Sequence, residues 1–327
     1  MVWLQFIGAS VALVIVANKL AEYADVISIR TRLGGVFVGT LLMAGATSLP
    51  EFLTILSSLG QGAPNLAAGN LLGSCMFNMF LLAVLDLSFW KAKVLRQVAL
   101  RHALTAGLAI LLLTMATFFI LGDLNFRIGW LGLDSLLIMV IYFVGMRLLQ
   151  RESPPLPDPE DLSDMEGLVS LRHALIGFGV TAGLLVGITP VLVSGAIGIA
   201  EVTGLGTGFV GTTLVGAATS LPELVTMLAA ARLGAFDLAV GNLFGSNLFN
   251  IFILGATDLF FTQGRFLGAI DPAFAAVGLL ALLMTALGLI NNLARVERRI
   301  LFVEVDALLL ILVYLSGLYF LYARGIG

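Results

Sequence analysis

The sequence predicts an all-α polytopic membrane protein, with ten transmembrane helices as two inverted five-helix repeats. Three observations carry this reading. The 327 residues are 59% apolar and only 11% charged, against roughly 25% charged in ordinary soluble domains. Apolar runs of about 20 residues, the length that spans a bilayer, recur between polar or Gly/Pro punctuation. The first half of the chain also returns in the second at a constant spacing of 172 residues. Ten spans use roughly 200 to 230 positions and leave about 100 for loops, too few for a large soluble domain.

The first five spans fall near 3–23, 35–59, 64–88, 102–121 and 128–149. Residues 1–24 lack a basic n-region and a small-residue cleavage site, so they read as the first span and not as a signal peptide. Residues 151–172 include RESPPLPDPEDLSDMEG, with four prolines and six acidic residues across the segment, the composition of a solvated, largely unstructured linker. Five further spans follow near 174–199, 207–231, 236–260, 273–293 and 303–323. The chain divides into a first membrane repeat over 1–150, the linker over 151–172 and a second repeat over 173–327.

Internal repetition is the most informative feature. GTLLMAGATSLPE at 39–51 lies over GTTLVGAATSLPE at 211–223 with nine of thirteen positions identical. GNLLGSCMFN at 69–78 lies over GNLFGSNLFN at 241–250 with seven of ten identical. The same spacing pairs Asp86 with Asp258, Asp134 with Asp306 and Tyr142 with Tyr314. Cytoplasmic loops carry the excess of Lys and Arg. Loops after the odd-numbered spans hold thirteen basic residues, and the opposite side holds only Arg127, Arg265 and Arg324. Both termini are therefore expected outside the cytoplasm. An odd number of spans per repeat inverts the second half relative to the first, an architecture of many secondary transporters.

The chemistry is expected where polar groups enter the spans. A carboxylate deep in a membrane helix costs roughly 2.5 to 3.5 kcal/mol on insertion scales, so Glu51 and Glu223 call for a purpose. Each directly follows a proline, Pro50 or Pro222, which cannot donate the helical hydrogen bond. Carbonyls near Thr47, Ser48, Thr219 and Ser220 are expected to leave the helical ladder. Irregular backbone at membrane depth is tolerated where it lines a cavity or is buried in protein. Ser74 and Asn78 share one helical face, as do Ser246 and Asn250. The small-residue steps Gly69–Gly73 and Gly241–Gly245 let helices approach closely. Carboxylates, hydroxyls, amides and carbonyls are hard ligands that suit Ca²⁺ or Na⁺, not zinc or copper.

Plainer roles compete with each of these. TSLPE alone is a proline kink with back-bonding hydroxyls, a reading that two copies with buried glutamates weaken. Asn78 and Asn250 also serve as interhelical glue, and Ser74 and Ser246 as small packing residues. Asp86 and Asp258 sit at span ends and suit capping or ion pairing. Asp134 and Asp306 suit pairing with interfacial cations, and Lys19 and Glu22 form a local pair. His102 and His173, both in LRHAL, read as surface anchors. With one cysteine and two histidines, an internal disulfide and a Cys/His zinc cage are excluded. The net charge of −3 and the lack of a basic, aromatic-interleaved run leave nothing for nucleic-acid binding. No HExxH, GxSxG or P-loop pattern supports an enzyme or an ATP-driven pump. Gly204 to Gly211 superficially matches a dinucleotide fingerprint but has no preceding strand. No cofactor is expected. The partners are inorganic cations and the lipid bilayer, and the oligomeric state stays open.

The doubled motif, GATSLPE and GAATSLPE each followed about 20 residues on by GNLxGSxxFN, resembles the two alpha repeats of the calcium/cation antiporter superfamily, in its sodium/calcium exchanger branch. The resemblance covers nearly the whole chain. It implies an alternating-access exchanger of the plasma or inner membrane, with four cation subsites between spans 2, 3, 7 and 8. It assigns Glu51 and Glu223 as principal carboxylate ligands. It assigns backbone carbonyls to Thr47, Thr219, Ala44 and Gly216, and side-chain oxygens to Ser48, Ser220, Ser74, Ser246 and Asn78. It also implies that the first and sixth spans slide across the rest. One position departs: such exchangers commonly carry an aspartate where this chain has Asn250. Two carboxylates balance one Ca²⁺, two Na⁺ or two protons, and excess charge in a low-dielectric site is costly. The departure favours electroneutral exchange, strengthens proton coupling as an alternative to Na⁺, and makes Asn250 a determinant of ion selectivity.

Overall fold

The computed structural model describes residues 1–31, 44–89, 94–152, 169–294, 299–300 and 303–325. The first half comprises α1 (Val2–Thr31), α2 (Leu49–Gly60), α3 (Pro64–Ser88), α4 (Val94–Gly122), a hairpin of β1 (Arg127–Ile128) and β2 (Leu131–Gly132), and α5 (Leu133–Glu152). The second half begins with α6 (Leu171–Thr203). The short α7 (Thr207–Val210), a π-helical turn (Gly211–Val215) and α8 (Gly216–Thr219) lead into α9 (Leu221–Arg232). It closes with α10 (Phe236–Ala256), α11 (Phe266–Ala269), α12 (Phe274–Ala294), β3 (Arg299–Ile300) with β4 (Val303–Glu304), and α13 (Val305–Arg324). Among the described residues, eight helical segments are long and apolar enough to cross a membrane, one of them the broken run Thr207–Arg232. Phe274–Ile290 is a shorter apolar helix. Residues 35–43 of the expected second span lie outside the described residues, as does 153–168 of the expected linker.

Elements recur at the spacing the sequence repeats. α2 and α9 are both twelve residues long and start 172 apart. α3 and α10 start at Pro64 and Phe236, and α5 and α13 at Leu133 and Val305. Even the hairpins match, with Arg127 facing Gly132 and Arg299 facing Glu304. These hairpins occupy residues assigned to the starts of the fifth and tenth spans. An apolar run alone does not separate a short strand from a helix turn. Gly129, at φ 68° in the two-residue loop, supplies the positive φ that a tight hairpin needs. At the linker, α5 continues to Glu152, and α6 starts at Leu171 behind Ser170, whose hydroxyl accepts the His173 N–H at 3.3 Å.

Two layers position the site. α3 and α10 are the most enclosed spans, with 72% and 78% of their apolar windows buried against 28% for α5, α6 and α13. They form the centre of the larger core, against which α4, α12 and α13 pack. α1 and α6 lie along each other as a separate pair. Leu13, Leu20, Leu192 and Val193 join Ala46, Leu66, Val210 and Ala218 in a second apolar cluster between that pair and the broken helices. The outward sides of the pair, including Ile7, Val11, Ile15, Ile176 and Val180, are exposed and apolar, as lipid contact requires.

Candidate ion-binding site

Both TSLPE segments break their helices at the serine. Ser48 (φ −89°, ψ 7°) and Ser220 (φ −89°, ψ 5°) have left helical geometry in the same way, and a new helix begins at the next residue. Proline at the second position of α2 and of α9 has no N–H to give, so the carbonyls lost to the ladder are those four residues back, at Ala46 and Ala218. The serine carbonyls are not freed as the sequence suggested. Ser48 O accepts the Phe52 N–H at 3.2 Å, and Ser220 O accepts that of Leu224 at 3.3 Å. Ala44 O and Gly216 O likewise accept the Ser48 and Ser220 N–H groups, at 2.9 and 3.2 Å.

Each restarted helix places its glutamate in the first turn, where unpaired N–H groups favour negative charge. S-x-x-E is the sequence of a capping box, but neither serine caps its own helix. The bonds cross between the halves instead. Ser48 Oγ donates to Glu223 Oε1 and Ser220 Oγ donates to Glu51 Oε1, both at 3.3 Å. Ser246 Oγ also donates to Glu223 Oε1, at 3.4 Å. Both glutamates are buried, and among the described residues Oε2 of each has no hydrogen-bond partner. A buried carboxylate oxygen without a donor is costly, a cost that a cation, a proton or a water molecule there would relieve.

The polar faces of α3 and α10 complete the cluster. Ser74 Oγ donates to Gly216 O at 3.2 Å and lies 3.4 Å from Thr219 Oγ1. Thr219 Oγ1 lies 3.0 Å from Asn70 Oδ1, to which it donates, and Thr47 Oγ1 donates to Ala44 O at 3.2 Å. Asn78 Nδ2 donates to Asn247 Oδ1 at 3.0 Å, leaving Asn78 Oδ1 buried without a partner among the described residues. Asn250 is buried beside Cys75, and neither of its amide atoms has a nitrogen or oxygen partner among the described residues. Thus Glu223 with Ser48 and Ser246, and Glu51 with Ser220, form two hydrogen-bonded sets, each crossing between the halves. Ser74, Thr219 and Gly216 form a third, and Asn78 joins the amides between α3 and α10. No group of three or more His, Cys, Asp or Glu side chains converges among the described residues.

Glycine makes the approach of α3 possible. A Cβ at Gly69 would lie 2.4 Å from Gly208 O, and one at Gly73 2.2 Å from Thr212 O. The π-helical turn that receives α3 carries threonines that back-bond it, Thr212 Oγ1 to Gly208 O at 2.9 Å and Thr213 Oγ1 to Phe209 O at 2.7 Å.

Asn70, Asn242 and Asn247 join the network although the motif analysis passed over them. Asn242 Nδ2 donates to Thr226 Oγ1 at 3.1 Å. The signal was present: 70, 74 and 78, like 242, 246 and 250, are spaced by four and share a helical face. Residues set aside as structural behave so. Asp258 accepts the Gly132 and Phe266 N–H groups. Asp134 Oδ2 lies 3.2 Å from Arg265 Nε, and Lys19 Nζ is bonded to Glu22 at 2.6 Å.

This arrangement bears comparison with known proteins. The sequence profile described as "Sodium/calcium exchanger protein" matches residues 1–149 and 173–323, nearly the whole chain. The chain belongs to that family. The putative antiporter CaxA of Alkalimonas amylolytica is 27% identical to this exchanger-family chain over 320 residues, covering 94% of each. Two solved structures share the fold. The sodium-calcium exchanger NCX_Mj superposes with a TM-score of 0.62 at 22% identity over 98% of this chain and 99% of that one. The H⁺/Ca²⁺ exchanger CAX superposes with 0.69 at 12% identity over 99% and 88%. This exchanger-family chain is therefore a multi-pass integral membrane protein of mainly helical fold.

Proposed function

We propose that this chain is a secondary active antiporter, not an enzyme, which exchanges Ca²⁺ or a similar divalent cation for Na⁺ by alternating access. The crossed Ser48–Glu223 and Ser220–Glu51 bonds carry this reading. They put two buried carboxylates, each with an unpartnered oxygen, at the breaks of two helices from opposite halves of the chain. Glu51 and Glu223 neutralise one divalent cation. Ser48, Ser220, Ser74, Ser246, Asn78, Asn250 and the backbone around Ala44, Thr47, Gly216 and Thr219 supply further oxygen. The topology that goes with it is ten spans as two inverted repeats over 1–150 and 173–327. The 151–172 linker lies in the cytoplasm, both termini lie outside, and the chain resides in the inner or plasma membrane. The relatives named for Na⁺/Ca²⁺ and H⁺/Ca²⁺ exchange support Ca²⁺ antiport of either coupling.

Asn250 favours a second reading, proton-coupled exchange. With two carboxylates and no third, loading two protons neutralises the empty site as completely as one Ca²⁺ does the filled one. The test is ⁴⁵Ca²⁺ uptake into proteoliposomes preloaded with Na⁺, against a matched set carrying only an outward proton gradient. Dependence on internal Na⁺ assigns sodium coupling, and uptake on the proton gradient alone assigns the second reading. In either case Glu51→Gln and Glu223→Gln abolish divalent exchange in folded protein. Near-normal flux in either variant refutes the site.

A further inference from the structure

Positions 75 and 247 are 172 residues apart and occupy the same place in the two halves, yet one is cysteine and the other asparagine. They meet between α3 and α10. Asn247 Nδ2 donates to Cys75 O at 3.2 Å, and the Cys75 thiol donates to Asn247 O at 3.8 Å. A backbone carbonyl only accepts, so the first bond fixes which end of the Asn247 amide carries nitrogen. Its Oδ1 is thereby turned toward Asn78, whose Nδ2 donates to it at 3.0 Å. Asn78 in turn has its nitrogen held and its oxygen left over, buried and without a partner among the described residues. An amide that presents oxygen is a cation ligand, whereas the same amide turned over presents N–H and repels the ion.

The other half has only a weaker form of this device. The residue equivalent to Asn247 beside Asn250 is Cys75, whose sulfur meets the Asn250 side chain but is a weak donor and weak acceptor and directs its hydrogen to the Asn247 carbonyl. Apart from that soft sulfur contact the two polar atoms of the Asn250 amide are buried without nitrogen or oxygen partners among the described residues.

We propose that Asn247 is a positioning residue that locks Asn78 as a fixed oxygen ligand, while the cysteine at 75 holds Asn250 only weakly, so that the two halves of the site contribute unequally to cation affinity. This rests on the exchanger reading above. The two are separated by measuring half-saturating Ca²⁺ for exchange in proteoliposomes, with Asn78→Ala and Asn250→Ala each placed in two backgrounds. One background is the natural chain and the other is the swapped pair Cys75→Asn/Asn247→Cys.

In the natural background Asn78→Ala raises half-saturating Ca²⁺ about five- to tenfold, the worth of one oriented hydrogen-bonding group, and Asn250→Ala less than about twofold. In the swapped background the order reverses, because the anchor now serves Asn250. A purely structural role for Asn247 weakens both variants together without exchanging them. An unchanged order in the two backgrounds overturns the proposal while leaving the exchanger reading intact. Absence of Ca²⁺ flux in the natural chain overturns the exchanger reading and the proposal with it. If the swapped protein does not fold, a double-mutant cycle decides. Asn247→Ala raises half-saturating Ca²⁺ with the maximal rate within about twofold, and adds nothing further on top of Asn78→Ala. Additive effects overturn the proposal.

Discussion

Gly73 is buried in α3 and Gly187 is exposed on α6, and their surroundings predict opposite responses to a single methyl group. At Gly73 a Cβ would lie 2.2 Å from Thr212 O and 2.6 Å from Thr212 Cα, both backbone atoms. Unstrained contact needs about 3.5 Å, so α3 and the π-helical turn must part by about 1 Å. Overpacking of this kind costs about 1 to 3 kcal/mol, and the upper end applies where the obstacle is backbone and has no rotamer to change. At Gly187, on the exposed side of α6, a Cβ meets no atom within 4 Å among the described residues. Both alanines gain up to about 1 kcal/mol of helix propensity, which cancels in the comparison and leaves Gly73→Ala about 3 kcal/mol the less stable. Ser74 moves with its neighbour, so its 3.2 Å bond to Gly216 O is lost as well. The assay is thermal loss of the monodisperse peak of detergent-solubilised fluorescent fusions, with Ca²⁺ flux measured on the same preparations. Gly73→Ala loses the peak at a clearly lower temperature and loses flux, while Gly187→Ala keeps both near the natural values. Equal midpoints, or a more fragile Gly187→Ala, would refute the packing argument.

Two further outcomes follow from charges outside and inside the site. Arg265 is buried between Asp134 at 3.2 Å and Asp123 at 2.7 Å and also donates to Leu124 O; Arg265→Met leaves buried Asp134 without its cation and costs about 3 to 5 kcal/mol. Adding Asp134→Asn recovers part of the lost thermal midpoint, and no recovery refutes the pairing. Asn250→Asp adds a third carboxylate, so exchange that is insensitive to a valinomycin-clamped potential in the natural chain becomes voltage-dependent. A steep voltage dependence in the natural chain counts against the two-charge account.

The parts of the fold written in local pattern were legible. Pro64 opens α3 and bounds it at 64–88, because proline suits the first turn of a helix and its missing N–H costs nothing there. The helix breaks at Ser48 and Ser220 followed from proline within an apolar span, and the repeat spacing carried through to the hairpins. What one dimension does not encode is pairing across the halves. TSLPE reads as though each serine serves its own glutamate, and only the meeting of the two broken ends, Ser48 with Glu223 and Ser220 with Glu51, shows the bonds crossed. The serine carbonyls illustrate a different failure. Proline removes one specific donor, four residues ahead of its acceptor, so the carbonyl affected is at Ala46 or Ala218 and not at the serine beside the kink. Asn247 escaped notice because its importance lies in contrast with Cys75, and a search for identity between repeats discards the positions that differ.

Crossed bonding has a consequence for how such a site can work. Because Glu51 is held by Ser220 and Glu223 by Ser48 as well as by Ser246 of its own half, each carboxylate draws on the opposite half. Separation of the two broken ends lengthens both 3.3 Å bonds at once. An ion that fills Oε2 of both glutamates draws the halves together, and an empty site has two buried oxygens without donors whose cost falls when water or protons reach them. Occupancy and geometry are therefore coupled through the same four side chains. The seam between the α1–α6 pair and the broken helices is apolar along most of its length but is tied to α6 at Gln61, which donates to Pro190 O at 3.3 Å and accepts from Ser194 Oγ at 3.0 Å. Nondirectional apolar contact resists sliding less than hydrogen bonds do, so a movement of the pair along this seam would be opposed chiefly by the Gln61 ties, and a separation of the broken ends by the crossed bonds at the glutamates.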